Sequence, residues 1–223
     1  MRRFAISDIH GCIKSFRKLI YDVLQLRPED HLYLLGDYVD RGLGSRQVLD
    51  EIMGLIENGY QLTCLRGNHE VLMLDARDDL DSLDLWLYNG GDKTLRSFAV
   101  LNPGAIPERY WTFLAALSSY VLLDDYVLVH AGLNFSIPDP LSDLQEMVWI
   151  RDWYDDLDRA WLGDRTIVHG HTPIGRKEIR RMAARLAELP VLNIDGACVF
   201  QGDLCALDLD TKELFFQENI ERI

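Results

Sequence analysis

Five apolar runs in this chain, each short enough to be a strand, end in a small polar stretch that carries Asp, Asn or His. In order, the stretches are Ser7-Asp8-Ile9-His10-Gly11, Gly36-Asp37-Tyr38-Val39-Asp40-Arg41-Gly42, Arg66-Gly67-Asn68-His69-Glu70, His130-Ala131-Gly132 and Gly170-His171-Thr172. One alone says little, because an Asp or Asn after a strand is usually a helix cap and a buried His is usually a hydrogen-bonded core residue. Five in order constrain the chain strongly, since chance would have to place metal-ligand residue types at every strand end.

The periodicity around them sets the fold class. Arg3 to Ser7, His31 to Leu35 and Gln61 to Leu65 read as strands. Ile13 to Gln25 has one apolar helical face, and Ser45 to Glu57 has another, with Ser45 as an N-cap and Gly59 as a stop. The order β-α-β-α-β predicts a parallel sheet with helices packed on it. Such sheets bind ligands at the carboxyl ends of their strands, so Asp8, Asp37 and Asn68 gather on one edge. Residues 71 to 118 read as mostly helical with an interruption at Asn89-Gly90-Gly91. A hairpin turns at Asp124-Asp125. Thr166 to Val168, Val191 to Ile194, Leu204 to Leu209 and Leu214 to Gln217 read as later strands, and Ile179 to Leu189 as a basic, Ala-rich helix or insertion. With 223 residues and no linker or repeat, residues 1–223 are expected to form one domain.

Charge and composition narrow the partners. A formal net charge of −13 repels a polyanionic backbone, so nucleic acid is not expected as a partner. No run approaches the roughly 18 apolar residues needed to span a membrane, and the N-terminus lacks a signal-peptide core. Four cysteines without a C-x-x-C pair read as small buried hydrophobes in a reducing compartment, and a cytoplasmic protein is the expectation.

The motifs suggest metal chemistry. A two-residue spacing lets Asp8 and His10 reach one ion, with Gly11 letting the backbone pass close by. Asp37 can bridge two ions, and Asn68, His130 and His171 would complete the shell of the second. The donors are oxygen and nitrogen only, which favours Mn, Fe or Zn.

Gly36-Asp-Tyr-Val-Asp-Arg-Gly42 and Leu65-Arg-Gly-Asn-His-Glu70 resemble the signatures of the calcineurin-like metallophosphoesterases, and within them the phosphoprotein phosphatase branch and its compact bacterial and phage members. The resemblance runs from about residue 3 to residue 217, in outline only over 72–128 and 135–165. It implies a four-layer α/β/β/α sandwich of two mixed sheets flanked by helices. It also implies two divalent ions, one held by Asp8, His10 and Asp37 and the other by Asp37, Asn68, His130 and His171. A bridging hydroxide would attack phosphorus directly. His69 would protonate the leaving oxygen, Asp40 would orient His69, and Arg41 and Arg151 would hold the phosphate.

Some positions stay open. Arg66 could hold phosphate or pair with a local carboxylate, and His169 reads as structural. Where the family often has Ile-Asp-Thr-Gly-Ala, this chain has Ile194-Asp-Gly-Ala197, one residue short. The expected substrates are phosphoserine, phosphothreonine or phosphotyrosine in proteins or peptides, with small phosphate esters as a further class. A symmetrical diadenosine tetraphosphatase-like nucleotide hydrolase is the alternative, with the basic segment Arg176 to Arg185 as its polyphosphate contact. Asp40 weighs against that alternative, since its motif is the protein-phosphatase form. A non-catalytic binding module would have lost a ligand or the His-Asp pair, and none is lost.

Overall fold

The computed structural model describes residues 1–221. Two mixed sheets carry the molecule. The first contains β1 (Arg3–Ile6), β2 (His31–Leu34), β3 (Gln61–Cys64), β8 (Asp203–Asp208) and β9 (Leu214–Glu218) in the order β3-β2-β1-β8-β9. The second contains β4 (Tyr120–Leu122), β5 (Tyr126–Val129), β6 (Thr166–His169) and β7 (Val191–Asn193) in the order β4-β5-β6-β7. In the first, β1, β2 and β3 are parallel, while β8 is antiparallel to both β1 and β9. In the second, the 120–129 hairpin leads into parallel β5, β6 and β7.

Strand alternation shows why there are four layers. Side chains along a strand point to opposite faces, so each central strand divides its apolar residues between two cores. Phe4 and Ile6 of β1, and Leu32 and Leu34 of β2, join the core under the helices of the first sheet. Ala5 and Tyr33 turn the other way and meet Leu128, Val168 and Leu192 of the second sheet. The outer face of the second sheet buries Val127, Val129 and Ile167 against Trp153 and Leu162. Strands buried on both faces read as continuous apolar runs, as these do.

Helix α1 (Ile13–Arg17) and helix α2 (Ser45–Glu57) cover the first sheet. Val48, Leu49, Ile52 and Leu55 of α2 are buried, each contributing about 1.5–3 kcal/mol. Two sequence expectations shift here. The helix expected over 13–25 changes to π geometry at Lys18–Val23, where the Leu24 N–H reaches back to Leu19 O at 2.9 Å. Ser45 is the first residue of α2 rather than its cap; Gly44 precedes it, and Ser45 Oγ accepts the Asp40 N–H at 3.1 Å.

In sequence between β3 and β4 come α3 (Asn68–Asp75), α4 (Leu80–Trp86), α5 (Asp92–Phe98) and α6 (Glu108–Ala115), whose buried residues Leu72, Trp86, Leu95 and Leu114 join the helix-side core of the first sheet. The interruption expected at Asn89-Gly-Gly91 is a π turn over Leu87–Gly91 in which Gly90 has φ 105°. Later come α7 (Glu146–Trp149), α8 (Arg159–Leu162) and α9 (Arg176–Ala183). No helix among the described residues is long and apolar enough to cross a membrane.

Candidate metal and phosphate site

The loops that leave β1, β2, β3, β5 and β6 meet at the carboxyl edge shared by the two sheets. Backbone bonds stitch them together: His10 N–H to Asp37 O (2.8 Å), Gly11 N–H to Tyr38 O (2.9 Å) and Gly170 N–H to His130 O (2.8 Å). Six of the eleven non-glycine residues with positive φ among the described residues lie here: Asp8, His10, Asp37, Asp40, Arg41 and His171. Backbone strain of this kind persists only where the surroundings enforce it, and it concentrates at functional sites. Glu70 is one source of that enforcement. Its buried carboxylate accepts from the backbone N–H of Gly67 (2.9 Å), Asp37 (2.8 Å) and Tyr38 (2.8 Å), which clamps the loop after β2 to the start of α3. Burial and nearby Asp37 push Glu70 up to about 7. Gly67 is required by contact, because a Cβ there would lie 2.2 Å from Asp37 Oδ1.

Two groups of ligand atoms form around Asp37. His10, Asp37 and His69 make one, and Asp37, His130 and His171 the other, with ligand atoms inside each group within 4.8 Å of one another. Asn68 joins the second group, its Oδ1 lying 3.1 Å from His130 Nε2 and 2.9 Å from His171 Nδ1. Burial works against charge on Asp37, yet the imidazoles of His130, His69 and His10 hold its carboxyl well below the ordinary range.

The hydrogen bonds test whether cations fit. In the tautomer that donates Nδ1–H to Leu35 O at 2.8 Å, His130 keeps Nε2 as an acceptor. Its Nε2 lone pair then faces Asn68 Oδ1 at 3.1 Å and Asp37 Oδ1 at 3.5 Å. In His171, burial and the neighbouring His130 bring the pKa down to about 3, so the ring is neutral. Its Nδ1–H points at Asn68 Oδ1, and its Nε2 is buried with no partner. His10 Nδ1 lies 2.8 Å from Val39 O and its Nε2 lies 3.3 Å from Asp37 Oδ2; burial opposes charge on this ring, but the bond to Asp37 and its charge prevail and raise its pKa to about 9. Acceptor atoms facing one another in a dry site, beside an orphaned lone pair, are stabilised by cations. The donor set therefore fits divalent ions.

Asp8 sits at the same edge but outside both tight groups. Its carboxylate accepts the His171 N–H at 3.0 Å and the Ser7 hydroxyl, and burial pushes its pKa up.

His69 is held differently from the other imidazoles. Nδ1–H donates to Asp40 Oδ2 at 2.8 Å, and Nε2 is buried without a partner, its ring 4.6 Å from that of His10. Asp40 also accepts from Thr94 Oγ1 (2.7 Å) and Trp86 Nε1 (2.9 Å). Arg41 Nη1 lies 2.8 Å from His10 Nε2 and packs over Phe200. Arg151 is exposed, its Nη1 donating to Thr172 Oγ1 at 3.2 Å.

Other expectations resolve as follows. Arg66 makes no ion pair among the described residues; its Nη2 donates to Ala115 O at 2.8 Å, at the end of α6. His169 is structural. Its Nδ1–H points to Gly170 O (3.0 Å) and its Nε2 accepts from Tyr154 OH (2.7 Å), so both nitrogens are used. In the basic segment, Arg176 pairs with Asp203, Arg181 with Glu178 and Arg185 with Glu188, so these cations face carboxylates rather than the site. Glu70, Trp86, Thr94 and Asp195 were not foreseen. Asp195 lies in the shortened loop; burial and then Asp8 push it well above the carboxylate range. The Asn-His-Glu motif held a clue to Glu70, whereas nothing local marks Trp86 or Thr94.

Comparison with known proteins agrees with this geometry. The family model described as calcineurin-like phosphoesterase matches residues 1–205, and the chain belongs to that family. It is a metallophosphoesterase, a hydrolase. The chain is 30% identical over 207 residues to serine/threonine-protein phosphatase 1 of Salmonella typhimurium, covering 90% of this chain and 88% of that one. It is 27% identical over 230 residues to the asymmetrical bis(5'-nucleosyl)-tetraphosphatase PrpE of Geobacillus thermodenitrificans, covering 91% and 88%. A solved protein serine/threonine phosphatase from Saccharomyces cerevisiae, with similarity to human phosphatase PP5, superposes with TM-score 0.64 at 16% identity over 100% of this chain and 81% of that one; it speaks to the fold alone.

Proposed function

We propose that the chain hydrolyses phosphomonoesters at a dinuclear site, with phosphoserine and phosphothreonine side chains as its substrates. The Asp40–His69 pair carries this reading. Asp40 fixes the Nδ1–H tautomer of His69, so Nε2 faces the site. A proton on Nε2 can pass to the leaving oxygen, and Asp40 raises the basicity needed to recover it.

Asp37, Asn68, His130 and His171 would hold one ion, and His10, Asp37 and Asp8 the other, with manganese the leading candidate and iron or zinc as alternatives. Bound there, two divalent ions lower the pKa of a water and offset phosphoryl charge. The chain's own contribution is geometric and electrostatic. Arg41, beside His10, and Arg151, beside Thr172, would clamp phosphoryl oxygens by charge-assisted bonds. Water that has given up one proton to solvent would attack phosphorus in line. The ester P–O bond breaks as the leaving oxygen takes the Nε2 proton of a doubly protonated His69, which then recovers a proton from solvent.

A second reading, hydrolysis of a dinucleoside polyphosphate, is favoured by the likeness to PrpE. The two are separated by comparing phosphate release from a phosphoserine or phosphothreonine peptide with turnover of diadenosine tetraphosphate, on manganese-loaded protein. Faster peptide turnover supports the first reading. Faster nucleotide turnover replaces it with the second, and turnover of neither, nor of para-nitrophenyl phosphate, overturns both.

A further inference from the structure

Arg41 does not end the cationic surface beside His10. It forms the inner end of an open groove of about 650 Å³ that runs away from the ligand groups between α1, α2 and α5. Four of the fourteen lining residues are cationic (Arg41, Lys14, Lys93 and Arg96) and one, Glu221, is acidic. That balance reverses the chain's own, in which 36 acidic residues outnumber 23 Lys and Arg.

Many arginines elsewhere on this surface are neutralised by carboxylates, whereas the groove cations mostly are not. Arg2, Arg3, Arg17, Arg77, Arg109 and Arg176 each pair with a carboxylate. Lys14 and Arg96 are exposed and make no ion pair among the described residues, and Lys93 has only its neighbour Asp92. Glu221 is already engaged by the N–H and hydroxyl of Ser15. Lys93 and Arg96 stand three apart on one helix, so their like charges share a face and repel. An anion between α1 and α5 would relieve that repulsion.

We propose that this groove is a second phosphate subsite, taking a phosphate group of the substrate remote from the one being cleaved. Arg41 would be shared between the two positions, and Lys14, Lys93 and Arg96 would hold the distal group. The proposal rests on the phosphoesterase reading but not on which ester is cleaved. It also relocates the polyphosphate contact from Arg176–Arg185, where Arg176, Arg181 and Arg185 are paired, to the α1–α5 groove.

The test compares wild type with the double variant Lys14→Ala/Arg96→Ala, two exposed changes outside the core. Hydrolysis of para-nitrophenyl phosphate, which has one phosphate, reports on the central site. Inhibition of that reaction by inorganic triphosphate is compared with inhibition by orthophosphate at fixed free manganese, and calorimetry measures triphosphate binding to the metal-loaded proteins directly. Wild type is expected to prefer triphosphate over orthophosphate by tenfold or more. In the variant that preference should fall to within about threefold, with kcat and KM for para-nitrophenyl phosphate unchanged. An equal preference in the two proteins overturns the proposal, since chelation of manganese by triphosphate is common to both. Without turnover of para-nitrophenyl phosphate the central reading fails, while calorimetry still decides the groove. KM for diadenosine tetraphosphate and for a doubly phosphorylated peptide then identifies the source of the distal phosphate by which one rises in the variant; if neither rises, the groove binds no substrate phosphate and the proposal falls.

Discussion

The indole N–H of Trp86 points at Asp40, 2.9 Å from the same Oδ2 that accepts from His69. Trp86 is wholly buried, so this bond replaces water that Asp40 would otherwise need. A bond to a charged acceptor is worth about 1.5–3 kcal/mol. Trp86→Phe keeps the ring and removes the donor. It is expected to lower kcat by about tenfold, since 1.36 kcal/mol is a factor of ten, and to leave bound metal unchanged. A variant with wild-type kcat and an unshifted pH–rate profile would show that Trp86 only fills space.

The division between acid pair and metal ligands can be tested on the same carboxylate. Asp40→Asn and His69→Asn are each expected to lower kcat by about 10²–10⁴ while two metals per chain remain by elemental analysis. Asn68→Ala, which opens the second ligand group, should lose metal as well as turnover. His69 also lies within ligand reach of His10 and Asp37. Loss of an ion from His69→Asn would therefore reassign His69 as a ligand.

Much of the site was legible because its residues follow strands. Asp8, Asp37, Asn68, His130 and His171 each come just after an apolar run, and the parallel pairing of β1, β2 and β3, and of β5 and β6, carries them to one edge. The supports around them were hidden. Trp86 and Thr94 lie 46 and 54 residues from Asp40 and reach it only through the packing of α4 and α5. The π turn at Lys18–Val23 has no sequence mark either, because its apolar residues fit an α-helix equally well. In the arginine-rich segment at 176–185 composition shows where cations are, not which carboxylates face them: Arg176, Arg181 and Arg185 are each paired.

The Asn89-Gly90-Gly91 element serves both halves of the site. Gly90 O accepts the Arg41 N–H at 3.3 Å, and Gly91 lies flat against Trp86. A Cβ on Gly91 would fall 2.4 Å from Trp86 Cδ2 and 2.5 Å from Cε2. The backbone of Gly91 is ordinary helix, φ −60°, so only the contact demands glycine. Gly91→Ala must displace an indole that has no free space, an overpacking cost of about 1–3 kcal/mol. The expected result is a Tm lower by roughly 2–10 °C, with kcat reduced at least as far as in Trp86→Phe. An alanine variant with unchanged Tm and kcat would mean that the indole can move without disturbing Asp40.

Asp30 provides a pH-dependent contribution to stability away from the ligand groups. Its side chain is 3% exposed and accepts from the Arg2 guanidinium at 2.5 Å and from the backbone N–H of Arg2 (3.1 Å) and Arg27 (3.0 Å). These bonds tie the start of β1 to the turn before β2, upstream of the loops that carry Asp8 and Asp37. Burial alone would raise the Asp30 pKa, but the bonds from Arg2 and Arg27 prevail and hold it below its ordinary 3.8. A carboxyl depressed in the folded state stabilises fully above its unfolded pKa and loses that contribution as pH falls through the folded value. Asp30→Asn should therefore be less stable than wild type by about 1–3 kcal/mol and by a constant amount from pH 5 to 8. Below about pH 4 the gap should close, because wild type then gives up its charge as well. Urea unfolding midpoints at several pH values would measure it; a gap that stays constant down to pH 2 would show that Asp30 contributes shape and neutral hydrogen bonds rather than charge.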